Sequence, residues 1–408
     1  MSFFFILKLS FLLIYLALCA LITFLIYNEE KQFYDPIYVT KKPEKEGEIE
    51  EKVNLHDEFD VYAKRDKPVN VLLLFIGVLT LFWPRLITNL ILTLVLTAKI
   101  NKRYKEKNEK IEKEDIDYII NSTKYLTHWF RRIAGLFIEK KRLPDEKVLP
   151  VFQKYFGPDY KIDYDGKFSC YISNHTCIYD MILSMAYFGT GFVAKSDVKK
   201  IPFFGKLITG LQSLLVDRNS SGSKNNALEL ISERQNSYYR GDPVMPFMIF
   251  PEGTTTSGRH LITFKKGAFA TLLPIKATII HPNMTSYHLG CGSSDVMMNF
   301  LRAISHLYTK AEYIELPIMT PNEYMFNNFQ NLGKEKWEIY AEVAREIMCT
   351  LGNLKKSDMG IKDPCSTKIR FSSSRSNRAL DEMPTTNLLL RSRGMAIPPP
   401  VRYLSFMD

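Results

Sequence analysis

The sequence has 408 residues, 46% of them hydrophobic, and a formal net charge of +10. That length excludes a single small module and allows a folded domain with a sizeable core, flanked by membrane-associated and tail segments. The basic balance favours a phosphate-bearing partner. No RNA-recognition aromatics, zinc-finger spacing or helix-turn-helix signal accompanies it, so membrane lipid is expected as the partner and no nucleic acid.

The six cysteines, Cys19, Cys170, Cys177, Cys291, Cys349 and Cys365, form no C-x-x-C pair and have no histidine at ligand spacing. Neither a zinc site nor a disulfide framework is expected, and the thiols read as reduced and structural.

Leu9 to Tyr27 carries no charge and is long enough to cross a bilayer core, so residues 1–30 are expected to form a transmembrane anchor. Residues 31–68 are charged and read as a linker. A second apolar region runs from Val69 to Ala98 and is broken by Trp83-Pro84-Arg85. Proline removes a helix hydrogen bond and arginine is costly at mid-bilayer. Two readings stand: two half-helices that dip in and return, or one tilted helix with Arg85 near an interface.

A basic run follows, from Lys99 to Lys113, which the positive-inside tendency would hold on the cytosolic side. From Asp117 to Ile138 apolar residues recur at helical spacing, among them Ile120, Tyr125, Trp129, Ile133, Leu136 and Phe137. That pattern fits an interfacial helix on lipid headgroups or a plain core helix.

Between about 165 and 320 short β-like runs alternate with helical stretches, the mark of a mixed α/β domain, here bounded at 151–352. Strands are expected at 168–173, 191–194, 214–216, 245–250, 274–279 and 313–317, with helices starting near Cys177, Asn225, Lys266, Ser294 and Glu335. The Ser-, Arg- and Pro-rich stretch 353–408 reads as a disordered tail.

Ser173-Asn-His-Thr-Cys-Ile-Tyr-Asp180 follows an expected strand and enters an expected helix. On one continuous helix a spacing of five would turn the two side chains roughly 140° apart. His175 and Asp180 can therefore pair only if His175 lies in the loop and folds back. A carboxylate on one ring nitrogen then fixes the tautomer and leaves the other nitrogen to take a hydroxyl proton. Downstream, Met245 to Ser257 is an apolar strand that breaks at Pro251 into Glu, Gly and hydroxyl residues. Backbone amides and small polar groups at a strand end suit an anionic head group, although a tight turn alone would also use Gly253.

These residues resemble the glycerolipid acyltransferase family. Four blocks stand in that family's order: NHTCIYD at 174–180, GLQSLLVDR at 210–218, FPEGTTTS at 250–257 and LPIKATI at 273–279. The resemblance implies an α/β, mixed-sheet acyltransferase catalytic domain with N-terminal membrane helices. It implies His175 as general base, Asp180 as its orienting partner, and Arg218, Glu252, Gly253 and Thr254 in the acceptor pocket. Lys195 is a further candidate cation for a phosphate, with a solvated lysine as the bland alternative.

The activity so implied is transfer of a fatty acyl group from acyl-CoA, a co-substrate, to a lysophospholipid hydroxyl, with no cofactor. The expected location is the endoplasmic reticulum membrane, catalytic domain towards the cytosol. The stretch after the third block favours lysophosphatidylcholine or lysophosphatidylethanolamine as acceptor. Lysophosphatidate and glycerol 3-phosphate stay open, as do a CoA-independent transacylase or lysophospholipase and a non-catalytic scaffold.

Overall fold

The structure is a computed structural model that describes residues 3–32, 38–41, 51–54, 71–106, 111–177, 179–200, 204–216, 223–282, 296–306 and 308–358. Of the 353–408 stretch, all beyond 358 lies outside the described residues.

Helix α1 (Phe3–Gln32) carries the first apolar run. Within the expected linker, β1 (Tyr38–Lys41) and β2 (Glu51–Asn54) pair as an antiparallel ribbon. The second apolar region is one helical run: α2 (Val71–Gly77), a π turn (Val78–Phe82) and α3 (Trp83–Glu106). It does not dip and return. A proline ring clashes with the carbonyl four residues earlier, here Thr80, and the widened turn just before Pro84 accommodates it without a break. Arg85 is 9% exposed and turned into the protein. Lys8–Tyr27 and Val71–Glu106 are the two described helices long and apolar enough to cross a membrane.

Helix α4 (Lys113–Ile133) starts at a capping box made by Glu112 and Asp115. Ile116, Ile119 and Leu126 on one face are buried, while Tyr118, Tyr125 and Trp129 are exposed. It is a core helix with an aromatic outer face.

The helix does not reach Ile138. Gly135, at φ 79°, turns the chain, and Leu136–Arg142 form β3. Leu136 and Ile138 are buried and Phe137 is exposed, the two-residue alternation of a strand. That short alternation was absorbed by the longer helical count.

The central sheet adds β4 (Tyr171–Ser173), β5 (Gly191–Lys195), β6 (Leu214–Val216) and β7 (Phe247–Ile249). Then come β8 (His260–Leu261), outside that sheet, and β9 (Ile275–Pro282) and β10 (Thr309–Met319) within it. The seven strands run in the order β3-β10-β9-β4-β7-β5-β6. From β9 to β6 all neighbours are parallel, and β10 lies antiparallel to β9 and parallel to β3. The sheet is therefore mixed, and it reaches back to residue 136, ahead of the expected boundary at 151.

Helices α5 (Asp145–Phe156), α6 (Tyr179–Phe188), α7 (Phe204–Gly210) and α8 (Ser223–Arg240) alternate with the strands. They are followed by α9 (Val296–Ser305), α10 (Glu323–Asn328) and α11 (Lys336–Gly352). The helix expected near Lys266 is only a 3-10 turn, Lys266–Ala268.

Both faces of the sheet are covered, as a mostly parallel sheet requires. Adjacent residues of β10 show it: Tyr313 belongs to the core shared with α4, α6 and the N-terminal helices, and Ile314 to the core shared with α5 and α11. After α11, β11 (Lys355–Lys356) pairs in parallel with β8, so the folded chain passes the expected boundary at 352.

Candidate active site

The C-terminal end of β4 delivers Asn174, His175 and Thr176 into a loop before α6. Asn174 is fixed by its own side chain: Nδ2 donates to the Ile280 carbonyl at 2.9 Å, and Oδ1 accepts the Ile280 amide at 2.7 Å. His175 lies in the loop, and its Nδ1 is 2.8 Å from Oδ2 of Asp180. The fold-back that the spacing demands is therefore present.

Asp180 sits in the first turn of α6, where the helix dipole favours a carboxylate. It is fully inaccessible, yet well supplied with donors. Its Oδ2 also accepts the amides of Thr176 at 2.5 Å and Cys177 at 2.9 Å, and Oδ1 accepts the Thr176 hydroxyl at 2.9 Å. The Cys177 thiol points at the same oxygen at 3.4 Å. These bonds lock the carboxylate in one orientation. The His175 side chain retains 19% exposure, and with Nδ1 engaged, Nε2 is the nitrogen left for a substrate.

The third block forms the wall beside it. Phe250, at the end of β7, stacks on the His175 ring with centroids 4.1 Å apart and planes 14° from parallel. Glu252 is completely buried. Its Oε1 accepts the His175 amide at 2.8 Å, and Oε2 accepts the Ile262 amide at 3.4 Å. The Thr256 amide closes the clasp by donating to the His175 carbonyl at 2.7 Å. Burial pushes the Glu252 carboxyl up to about 8, against the opposing pull of the His175 and Ile262 amides and the Thr256 hydroxyl. Glu252 was expected in the acceptor pocket; its carboxyl holds the backbone of the histidine loop.

Gly253 has φ 68°, a left-handed conformation that side chains disfavour. A Cβ there would stand 2.5 Å from Nζ of Lys265, so that side chain lies across the glycine. Thr254 is half-buried beside it. Lys266, by contrast, is drawn to α11: its Nζ is 3.3 Å from Glu335 and 5.2 Å from the Trp337 ring centroid. Lys195 ends β5, paired in register with Val216, and its side chain is outside the described residues. Arg218 is also outside the described residues.

Phe250 and Thr256 were within the recognised block but not singled out. Among the described residues no group of three or more His, Cys, Asp or Glu is placed to hold a metal ion.

A histidine fixed by a buried aspartate at a strand end, with a clasp from a second strand end, forms the candidate site of this α/β domain. The chain matches the acyltransferase family model over residues 165–284, in line with its resemblance to the glycerolipid acyltransferases. It is 28% identical over 197 residues to a lysophospholipid acyltransferase of Arabidopsis thaliana, covering 47% of this chain and 46% of that one. It is 28% identical over 194 residues to a lysophosphatidylcholine acyltransferase of Drosophila melanogaster, covering 47% and 34%. The matches thus span less than half the length of these curated relatives. The crystal structure of the 1-acyl-sn-glycerophosphate acyltransferase PlsC of Thermotoga maritima aligns with a TM-score of 0.39 at 17% identity, over 64% of this chain and 95% of that one.

Proposed function

We propose that the protein transfers a fatty acyl group from acyl-CoA to the hydroxyl of a lysophospholipid, with a choline or ethanolamine head group favoured. The observation that carries the reading is the 2.8 Å contact between His175 Nδ1 and the buried Asp180. The relatives named lysophospholipid and lysophosphatidylcholine acyltransferases support the acceptor class.

In this mechanism Asp180 holds the proton of His175 on Nδ1, and Nε2 takes the proton of the acceptor hydroxyl. The hydroxyl oxygen attacks the thioester carbonyl carbon. The tetrahedral oxyanion collapses, the carbon–sulfur bond breaks, and the departing CoA sulfur receives the proton from the imidazolium. No acyl-enzyme forms and no cofactor is needed. Glu252 and Thr256 act through the loop by fixing the His175 backbone on both sides, since misplacement of a catalytic group by about 1 Å costs on the order of 10²-fold. Arg218 and Lys195 are proposed contacts for the acceptor phosphate.

The two membrane-length helices and the exposed aromatic face of α4 support action at a bilayer. The basic run from Lys99 supports a cytosolic face of the endoplasmic reticulum, where acyl-CoA is available. Lys265 across Gly253 supplies a cation for a phosphomonoester, the observation that favours lysophosphatidate as a second acceptor reading.

The test is an acceptor panel with the detergent-purified chain, with products identified by mass and CoA thiol counted. Product without acyl-CoA would replace the reading with a transacylase. A tenfold preference for lysophosphatidate or glycerol 3-phosphate in kcat/KM, about 1.4 kcal/mol, would overturn the head-group assignment alone.

A further inference from the structure

An arginine in a helix of membrane length is costly unless its charge and donors are met. Arg85 meets them at the end of another helix. Its Nη1 donates to the Ile304 carbonyl at 3.1 Å and also to the His306 carbonyl. These groups close α9, where carbonyls lack partners within the helix and the negative end of the dipole favours a cation.

On the other side of the π turn, α2 approaches the same helix end. A Cβ on Gly77 would stand 2.0 Å from the Ser305 carbonyl oxygen, a contact that admits only glycine. The helix at 71–106 therefore grips the C-terminus of α9 at two points, one before the turn and one after it.

The other contact of α9 leads to the proposed catalytic pair. Tyr179, fully buried, donates its hydroxyl to the Phe300 carbonyl at 3.1 Å, and the two rings stack with centroids 6.3 Å apart. Tyr179 is the first residue of α6, and the next is Asp180.

We infer that Arg85 and Tyr179 are positioning residues for acyl transfer, an inference that rests on the reading above. Arg85 anchors α9 to the membrane helix. Tyr179 hangs the start of α6 on α9. The seating of helix 71–106 thereby sets how Asp180 meets His175.

The experiment uses the full chain in detergent, with acyl-CoA and lysophosphatidylcholine. Tyr179→Phe removes one hydroxyl and keeps the ring; Arg85→Met keeps the stem and removes the donors; Arg85→Lys restores a cation. A slackened pair, displaced by less than about 1 Å, predicts a kcat roughly tenfold lower in Tyr179→Phe, with KM for acyl-CoA changed by less than about twofold.

Arg85→Lys should recover most of the loss seen in Arg85→Met. The double variant Tyr179→Phe/Arg85→Met should be no slower than the slower single variant, because groups in series are not additive. A readout independent of turnover is the low-field proton resonance of His175 Nδ1–H, which should move upfield or broaden in Tyr179→Phe. If Arg85→Met does not fold, Tyr179→Phe decides alone.

Wild-type kcat and an unmoved resonance in folded Tyr179→Phe overturn the inference, as does a fully multiplicative loss in the double variant. If the wild-type chain transfers no acyl group, the acyl-transfer reading fails, and the resonance still decides whether Tyr179 positions the pair.

Discussion

Replacing Glu252 tests whether the two strand ends act as one clasp. Glu252→Ala removes the acceptor for the His175 and Ile262 amides. Each buried amide left unpaired costs about 1–3 kcal/mol, so a loss of roughly 2–6 kcal/mol is expected before relaxation or water entry reduces it. The freed His175 loop should lower kcat by about 10²-fold. Glu252→Gln keeps an oxygen acceptor for His175 and carries no charge, so it should fold and keep most of the activity.

The pH dependence separates the two forms further. The carboxyl is raised in the folded state from its ordinary 4.5 to about 8, so the folded protein holds a proton that the unfolded chain releases. Its contribution to stability is complete below pH 4.5 and declines as pH rises towards 8, by about 1.4 kcal/mol per unit. Glu252→Gln should lack that decline. Chemical unfolding followed by circular dichroism between pH 5 and 8.5 measures the difference between the two proteins. A constant difference across that range, or full kcat in Glu252→Ala, would refute the reasoning.

His175→Ala should abolish transfer, a loss of roughly 10²–10⁴ or more, with the fold retained, and Asp180→Asn should be severely slowed; single-turnover assays on folded protein check both. Gly253→Ala places a Cβ at φ 68° against Lys265; a stability loss of about 1–2 kcal/mol and a raised acceptor KM are expected from unfolding and steady-state assays. Asn121, exposed on α4, opens an N-x-Ser/Thr triplet and should stay unglycosylated in a eukaryotic host if the domain faces the cytosol; endoglycosidase-sensitive mass would place it in the lumen. Asn219 and Asn283 open like triplets, carry the same expectation, and lie outside the described residues.

Most of the central sheet was legible because each strand is a short apolar run closed by a turn-forming or polar residue. The contact between His175 and Asp180 was legible from spacing alone, since five residues cannot pair on one helix. Less visible was β3, whose first residues Leu136, Phe137 and Ile138 continue the apolar count of α4 although Gly135 turns the chain before them. The fate of Arg85 was not readable either. Its partners are backbone carbonyls more than 200 residues away, and such acceptors leave no mark in side-chain patterns. Glu252 shows the same limit: a glutamate beside a glycine suggests a ligand contact, while its burial and its bond to His175, 77 residues distant, depend on the sheet.

The parallel pairing of β11 with β8 ties the end of the folded chain to the segment just after the third block. Lys355 donates its amide to Arg259, Ser357 donates to Leu261, and the Arg345 side chain bonds the Ser357 carbonyl at 2.7 Å. Ile262, which supplies the second amide to Glu252, follows immediately. During synthesis the histidine loop emerges long before this strap. The loop can meet Glu252 as soon as the third block appears, but the block itself is buttressed only after residue 357 is available. Shortening the chain at Gly352 would remove a brace from the site without touching any residue described as lining it.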